Sequence, residues 1–177
     1  HSPAGIPTCN TGNELAASDP SATCTGCHMP TVDGPSGAVG GRPSHRSHGF
    51  LGPHAAWRGD DALLRSAVEL SAALEGRTLV VTLRNRSGHA FPSGFPGRLA
   101  VLQAVAKAAD GRELWRARRV SPSEAPTLML RQVFLDAAGQ PTMAPFATAL
   151  GPDSRLTPDE TRTLRIALPP EARTAAS

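Results

Sequence analysis

Alternating apolar and polar positions run through most of the chain from about residue 66 onward. Every second residue of Val68–Leu74 is apolar, the pair Glu75-Gly76 follows, and the alternation resumes over Leu79–Leu83. Successive side chains of a β-strand point to opposite faces, and glycine accepts the backbone angles of a tight turn. The pattern therefore predicts a β-hairpin.

Five further apolar runs have the length and spacing of strands. Leu99–Ala108 and Glu113–Val120 flank Asp110-Gly111, a dipeptide typical of hairpin turns, and predict a second hairpin. The remaining candidate strands, the first two of them separated by a turn at Ala138–Pro141, are Leu128–Leu135, Met143–Leu150 and Leu164–Leu168. Seven strands with turns between them predict a mainly β fold, an antiparallel Ig-like β-sandwich domain over residues 61–177.

Residues 1–60 have a different composition and no sustained helical or strand period. They contain all three cysteines, five of the six histidines and much of the glycine and proline. Such a segment cannot easily form its own core, so we expect an irregular N-terminal segment that packs on the sandwich. One short helix is predicted around Ala55–Leu64.

The clearest chemical motif lies in this N-terminal segment. Cys24-Thr25-Gly26-Cys27-His28 is a complete Cys-x-x-Cys-His, the spacing used to attach a c-type haem. Two thiols three positions apart can bond to the two vinyl groups of one porphyrin edge, and the adjacent imidazole then reaches the iron from one face. The motif predicts one covalent haem c, held by Cys24 and Cys27 with His28 on the iron, and residues 1–60 form the haem-binding segment.

Two other interpretations of the cysteine pair fit less well. A thioredoxin-type dithiol normally opens a helix within a βαβ unit, a pattern that this chain lacks. A zinc site built from Cys24, Cys27, His45 and His48 would need an unusually long gap between the cysteines and the histidines, and an unusually close histidine pair.

The sequence does not determine which residue is the sixth ligand of the iron. Met29 cannot reach it because this residue is tethered to the same haem face as His28. His48 lies far enough along a Gly/Pro-rich loop to pass around the porphyrin edge, and His89 lies in a loop between two predicted strands. His48 is the first choice and His89 the second; the other possibilities are His45, His54, His1, a distant methionine or no ligand. His1 at a chain terminus also fits a copper brace, a weaker hypothesis.

The charge of the chain argues against a nucleic-acid partner. Its 177 residues carry a formal net charge of +3, and every basic residue except Lys107 is an arginine scattered among acids. Arginine binds carboxylates through paired hydrogen bonds, so part of this excess can serve haem propionates. No apolar run approaches the roughly 20 residues that span a bilayer, and no transmembrane segment is predicted.

Three blocks of residues together resemble a group of periplasmic or extracellular multihaem c-type cytochromes. They are Cys-x-x-Cys-His-Met-Pro at 24–30, Ser-His-x-Phe at 47–50 and Gly-His-x-Phe-Pro at 88–92, followed by a β-rich region. The resemblance implies bis-histidine haem and electron transfer. In these relatives another haem motif commonly precedes this one and follows a Gly-Ile or Gly-Val pair. Here the pair Gly5-Ile6 is followed only by Cys9-Asn10-Thr11-Gly12-Asn13, which resembles a motif that has lost its second cysteine and its histidine. Cys9 would then be a leftover thiol; the alternatives are a pairing with another subunit, or a haem held by a single thioether bond.

The leading hypothesis is therefore an electron carrier with a single bis-histidine haem and no enzymatic activity. A haem enzyme or small-ligand binder with an open distal site is the first alternative. The second is a structural, electron-conducting subunit of a larger cytochrome complex or filament. The expected partners are redox proteins or further copies of the chain. Because haem is attached to such motifs after export in bacteria, we expect a periplasmic or extracellular protein whose signal peptide has been removed.

Overall fold

The longest regular element in the computed structural model of this chain is an antiparallel hairpin of β3 (Val68–Glu75) and β4 (Thr78–Asn85). The structure describes residues 2–6, 23–37, 42–50, 52–93, 97–117, 129–170 and 172. The register pairs Leu70 with Leu83 and Leu74 with Leu79, and Gly76 occupies the turn with a φ of 60°. The first predicted hairpin is thus confirmed.

Strand β4 is the centre of a three-stranded antiparallel sheet. The last strand, β12 (Thr161–Ala167), pairs with the edge of β4 opposite β3, which gives the order β12–β4–β3. Val81, Leu83 and Asn85 alternate along β4 and are all buried, whereas almost all of β3 is exposed. The alternation in the sequence therefore corresponds to alternating burial on the central strand β4, but not on the edge strand β3.

A second three-stranded sheet consists of β9 (Gln132–Leu135), β10 (Pro141–Thr142) and β11 (Ala149–Asp153), in the order β10–β9–β11. The predicted turn before β10 is present, and the Asp136 carboxylate accepts hydrogen bonds from the N–H groups of residues 138 and 140. The predicted strand Met143–Leu150 is wrong in its first half, which is a 3₁₀ turn at Ala144–Phe146. Proline at position 145 has no N–H with which to continue a strand ladder.

Shorter strand pairs complete the described sheets. β6 (Val105–Lys107) and β7 (Glu113–Arg116) form the second predicted hairpin, with Gly111 at a φ of 84°. The predicted run Leu99–Ala108 is divided, because β5 (Ala100–Val101) pairs with β8 (Met129–Leu130) instead. Residues 118–128, which include the predicted ends of two strands, lie outside the described residues.

Within the described residues, five short elements lie in, or directly after, the segment that the sequence predicts to be mostly irregular. They are α1 (Cys24–His28), β1 (Thr31–Asp33), β2 (Ser44–Arg46), α2 (Pro53–Ala56) and α3 (Ala62–Ala67). β1 and β2 pair with each other. The predicted helix at Ala55–Leu64 is thus two helices, separated around Gly59, which has a φ of 85°.

The core lies where the central sheet meets the β5–β8 pair. Leu83, Leu130 and Leu156 are buried together, and the residues packed against them are Val68, Phe91, Ala100 and Leu164. Side chains from two sheets thus face each other, as the packing of a sandwich requires. The mainly β, antiparallel fold class is confirmed, and the boundary between residues 1–60 and 61–177 stays a prediction. Within the described part of the chain, no helix is long and apolar enough to cross a membrane.

Candidate functional site

The short helix α1 carries the Cys-x-x-Cys-His motif. Thr23 caps its first turn, with its hydroxyl accepting a hydrogen bond of 3.1 Å from the Gly26 N–H. A Cβ atom at Gly26 would lie 3.2 Å from that hydroxyl oxygen, so the smallest residue suits this position. Cys24 and Cys27 are free, exposed thiols on adjacent positions of one helix face. The helix therefore presents both thiols without a disulfide between them.

A cavity of about 330 Å³ opens beside this helix. Cys24, Cys27, His28 and His89 all line it, so the structure brings together four of the five residues that the sequence predicts for the haem site. Its apolar wall comes from the two helices after β2 and the loop after β4, and consists of Pro53, Leu63, Leu64, Ala67, Phe91 and Pro92. A volume of this order is typical of sites for small molecules and cofactors.

The imidazole rings of two residues that line this cavity lie near each other and nearly parallel. The ring centroids of His28 and His89 are 6.3 Å apart, and the ring planes are 17° from parallel. Metal–nitrogen bonds to imidazole are about 2 Å long, so two rings bound to one metal ion from opposite sides have centroids slightly more than about 6 Å apart. The distance between the two rings is therefore one at which both could bind the same metal ion.

The ring of His89 is oriented by its own loop. Its Nδ1 lies 2.9 Å from the carbonyl oxygen of Ala90. Because a carbonyl oxygen only accepts, Nδ1 must carry the proton of this hydrogen bond, and the lone pair of the neutral ring is then on Nε2. Metal-binding histidines commonly have this arrangement, which leaves one nitrogen for the metal.

The charged groups at the cavity are cationic. Arg86 and Arg98 line it, and no described lining residue is acidic. One guanidinium nitrogen of Arg98 donates to the Ser93 carbonyl oxygen at 2.8 Å, which holds this side chain at the loop after β4. The rim is thus suited to a cofactor that bears carboxylates.

The other histidines are placed differently. His48, the first choice from sequence for the sixth ligand, is exposed in the loop after β2 and does not line the cavity. His45 lies in β2 with its Nδ1 3.1 Å from the Gly34 carbonyl oxygen, and His54 is an exposed residue of α2. His1 and Cys9 lie outside the described residues.

Neither methionine ligation nor a zinc site receives support from the structure. Met29, Met129 and Met143 do not line the cavity. Among the residues that the structure describes, no group of three or more His, Cys, Asp or Glu residues is arranged to hold a metal ion. Since an iron in a porphyrin already has four nitrogen ligands, two histidines complete its coordination, whereas a bare zinc ion needs about four protein ligands.

The sequence reasoning missed the residues that form the apolar wall. Leu63 and Leu64 are adjacent in a helix too short for a helical period to be detected. Phe91 and Pro92 belong to a block of residues that the resemblance includes, but no local pattern shows that they face the same space as Cys24. Such a wall forms only in the tertiary structure.

Comparison with solved structures shows that the chain has a fold like that of multihaem cytochromes. The matched structure is a penta-haem cytochrome c552 from Thermochromatium tepidum, at a TM-score of 0.73 and 31% sequence identity. The match covers 99% of this chain and 42% of the cytochrome, so the chain spans less than half of that protein. Scans against protein-family models and against curated proteins give no match.

Proposed function

We propose that the chain is a c-type cytochrome unit with one covalent haem, and that it transfers electrons. The observation that carries this proposal is the placement of His28 and His89, with centroids 6.3 Å apart, in the cavity that Cys24 and Cys27 also line. Two thiols and one imidazole are the groups that attach a c-type haem, and the second imidazole supplies the sixth ligand.

The donor set fits this group. Cys24 and Cys27 would hold the porphyrin edge through thioether bonds, and His28 and His89 would bind the iron from its two faces. We therefore prefer His89 to His48 as the distal ligand, which reverses the order given by sequence alone. The bound haem would supply one-electron chemistry at its iron.

The remaining lining residues affect the access of water to the cavity and the charge around it. Leu63, Phe91 and Pro92 line the cavity with apolar surface, which would keep water away from part of a bound haem. Arg98 would neutralise a propionate, and Arg86, which lies 3.9 Å from the Glu69 carboxylate, would contribute less. Cys24 and Cys27 are exposed. A haem held at exposed thiols has an edge near the surface, which allows electron exchange with a partner protein without a substrate pocket.

The ligand pair favours a carrier over an enzyme. A haem enzyme or small-ligand binder needs an open position on the iron, and His89 would fill that position. The expected potential is low, since histidine rather than methionine is the second ligand.

The haem number and cellular location belong to the same proposal. The sequence has one complete attachment motif, at 24–28, whereas the similar cytochrome is a penta-haem protein of which the chain spans 42%. We therefore propose one haem in this chain, with further haems in its redox partners or in a larger cytochrome assembly. Attachment after export places the protein in the periplasm or outside the cell.

The experiment is to produce the chain in a bacterium that attaches haem to exported proteins, and to measure a pyridine-haemochrome spectrum and the intact mass. We expect one haem per chain, a low-spin spectrum, and no reaction of the reduced protein with carbon monoxide. The double variant Cys24→Ser/Cys27→Ser should carry no covalent haem. A wild-type chain without covalent haem, or a high-spin iron that binds carbon monoxide rapidly, would refute the proposal.

A further inference from the structure

The side chain of Asn85 is a fully buried polar group at the end of β4. Its exposure is 0%, and it is the last residue of the central strand, directly before the loop that carries His89. Burying an amide without partners is costly, so the partners of this side chain show what it holds in place.

The partners of Asn85 converge on the His89 loop. Its Nδ2 lies 2.8 Å from the carbonyl oxygen of His89, 3.1 Å from that of Leu156 and 3.0 Å from that of Thr157. Its Oδ1 accepts from the Ser87 N–H at 2.9 Å and from the Ser87 hydroxyl at 2.6 Å. Since all three carbonyl oxygens only accept and the Ser87 N–H only donates, the orientation of the amide is fixed.

This network ties the His89 loop to the core. Leu156 is 0% exposed and belongs to the central cluster, and its backbone also exchanges two hydrogen bonds with Phe91, at 2.9 and 3.0 Å. The carbonyl oxygen of His89 is thus held by Asn85, with the Ser87 hydroxyl 3.0 Å from the same oxygen, and Phe91, two residues further on, is held by Leu156. The hydrogen bond from His89 Nδ1 to Ala90 then sets the direction of the imidazole.

We infer that Asn85 is a positioning residue for the iron ligand His89, an inference that rests on the proposed function. Its amide holds the His89 peptide in place, so that His89 would remain a ligand of a bound haem iron. Replacing a group that hydrogen-bonds a metal ligand directly typically changes metal binding about 10- to 100-fold; Asn85 acts on the backbone of His89, and the lower end of this range is expected.

A purely structural role for Asn85 makes a different prediction. If its amide only completes the end of β4, replacing it lowers stability but leaves the iron six-coordinate. If it positions His89, the reduced protein becomes reactive towards carbon monoxide, which binds only after a ligand has left the iron. The rate of carbon monoxide binding therefore separates the two roles.

The test uses the haem-loaded chain and two variants of Asn85. Asn85→Asp keeps the size of the side chain and an acceptor for Ser87 but lacks the amide donors; Asn85→Ala removes the network altogether. The control is Ile166→Ala, which removes a buried side chain paired with Leu79, about 20 Å along β4 from Asn85. Stability towards urea is measured for all of them, so that a change in the rate of carbon monoxide binding can be separated from a loss of stability.

We expect Asn85→Asp to bind carbon monoxide at least about tenfold faster than the wild type, and Ile166→Ala to react like the wild type. If one of the two Asn85 variants does not accumulate as a folded protein, the other variant decides. Wild-type reactivity in Asn85→Asp, or equal reactivity in Asn85→Asp and Ile166→Ala, would overturn the inference. Either result leaves the proposed function intact, because that proposal fails only if the wild-type chain lacks covalent haem or its iron is open.

Discussion

His28 and His89 have their imidazole centroids 6.3 Å apart although one ends the first helix and the other lies in the loop after the central strand. The two rings are brought together by tertiary structure, since α1 and the loop after β4 line the same cavity. This relationship distinguishes His89 from His48, which is exposed and lies outside the cavity.

The first prediction follows from this difference between the two histidines. In the haem-loaded chain, His89→Ala should leave the iron with an open position. Among the described histidines, only His28 and His89 line the cavity, so no further histidine there can replace His89. We expect a shift towards a high-spin absorption spectrum and binding of carbon monoxide to the reduced protein.

His48→Ala is the matched control, since it removes the same side chain from a site outside the cavity. It should keep the low-spin spectrum and the lack of reaction with carbon monoxide. If instead His48→Ala opens the iron and His89→Ala does not, the order inferred from sequence is correct and the proposed ligand pair is wrong.

A second prediction concerns the core that supports the His89 loop. Leu156 is 0% exposed and packs with Leu83 and Leu130. Replacing a buried leucine by alanine typically costs about 2–5 kcal/mol, so Leu156→Ala should lower the free energy of unfolding by about 3 kcal/mol. Urea unfolding, followed by circular dichroism, measures this change.

Leu70→Ala is the control for this measurement. Leu70 is also a leucine of the β-rich region, but it is 58% exposed on the edge strand β3. Its replacement should change the free energy of unfolding by less than about 1 kcal/mol. Similar losses in both variants would show that the edge strand is covered in solution.

Local features of the sequence predicted much of the β-structure. The β3–β4 and β6–β7 hairpins follow from alternation and from glycine at the turns, Gly76 and Gly111, because both signals act over a few residues. Where a local rule was overlooked, the prediction failed: proline at 145 breaks the expected strand, and Gly59 divides the expected helix.

The site was predicted less completely because it depends on distant contacts. The attachment motif is contiguous, so Cys24, Cys27 and His28 are evident from spacing alone. Choosing between His48 and His89 requires knowing which loop faces the motif. The number of residues between the motif and each histidine does not give this information. The contacts of Asn85 were not predicted for the same reason, since its partners Leu156 and Thr157 lie 71 and 72 residues further along the chain.

A third prediction concerns stability in acid. Burial alone would raise the pKa of Glu160, but hydrogen bonds from the Thr157 N–H at 2.8 Å, and from Arg162, outweigh it and hold this pKa below its ordinary value. A carboxylate with a lowered pKa stabilises the fold above its unfolded-state pKa of about 4.3, and this contribution is lost as the pH falls through the folded-state pKa.

The melting temperature of the wild type should therefore fall below about pH 4, and more steeply than that of Glu160→Gln, which lacks this contribution at every pH. Glu75→Gln removes the same charge from an ion pair with Arg165 in which both side chains are more than half exposed. It controls for net charge and should follow the wild type. Parallel curves for Glu160→Gln and the wild type would contradict the assignment.

The last prediction concerns Arg98, whose guanidinium lines the cavity and donates to the Ser93 carbonyl oxygen. A positive charge near the iron favours the reduced form, which carries one positive charge less than the oxidised form. Arg98→Gln should therefore lower the midpoint potential. For an exposed charge about 10 Å from the iron the expected change is on the order of 20 mV, and it is larger if the site is dry.

Arg165→Gln removes the same charge from β12, where Arg165 pairs with Glu75 at the far end of the hairpin. Spectroelectrochemical titration should show a decrease for Arg98→Gln and a much smaller one for Arg165→Gln, because the attraction weakens with distance and with screening by salt. Equal shifts would mean that the potential responds to net charge alone, and that Arg98 does not face the cofactor.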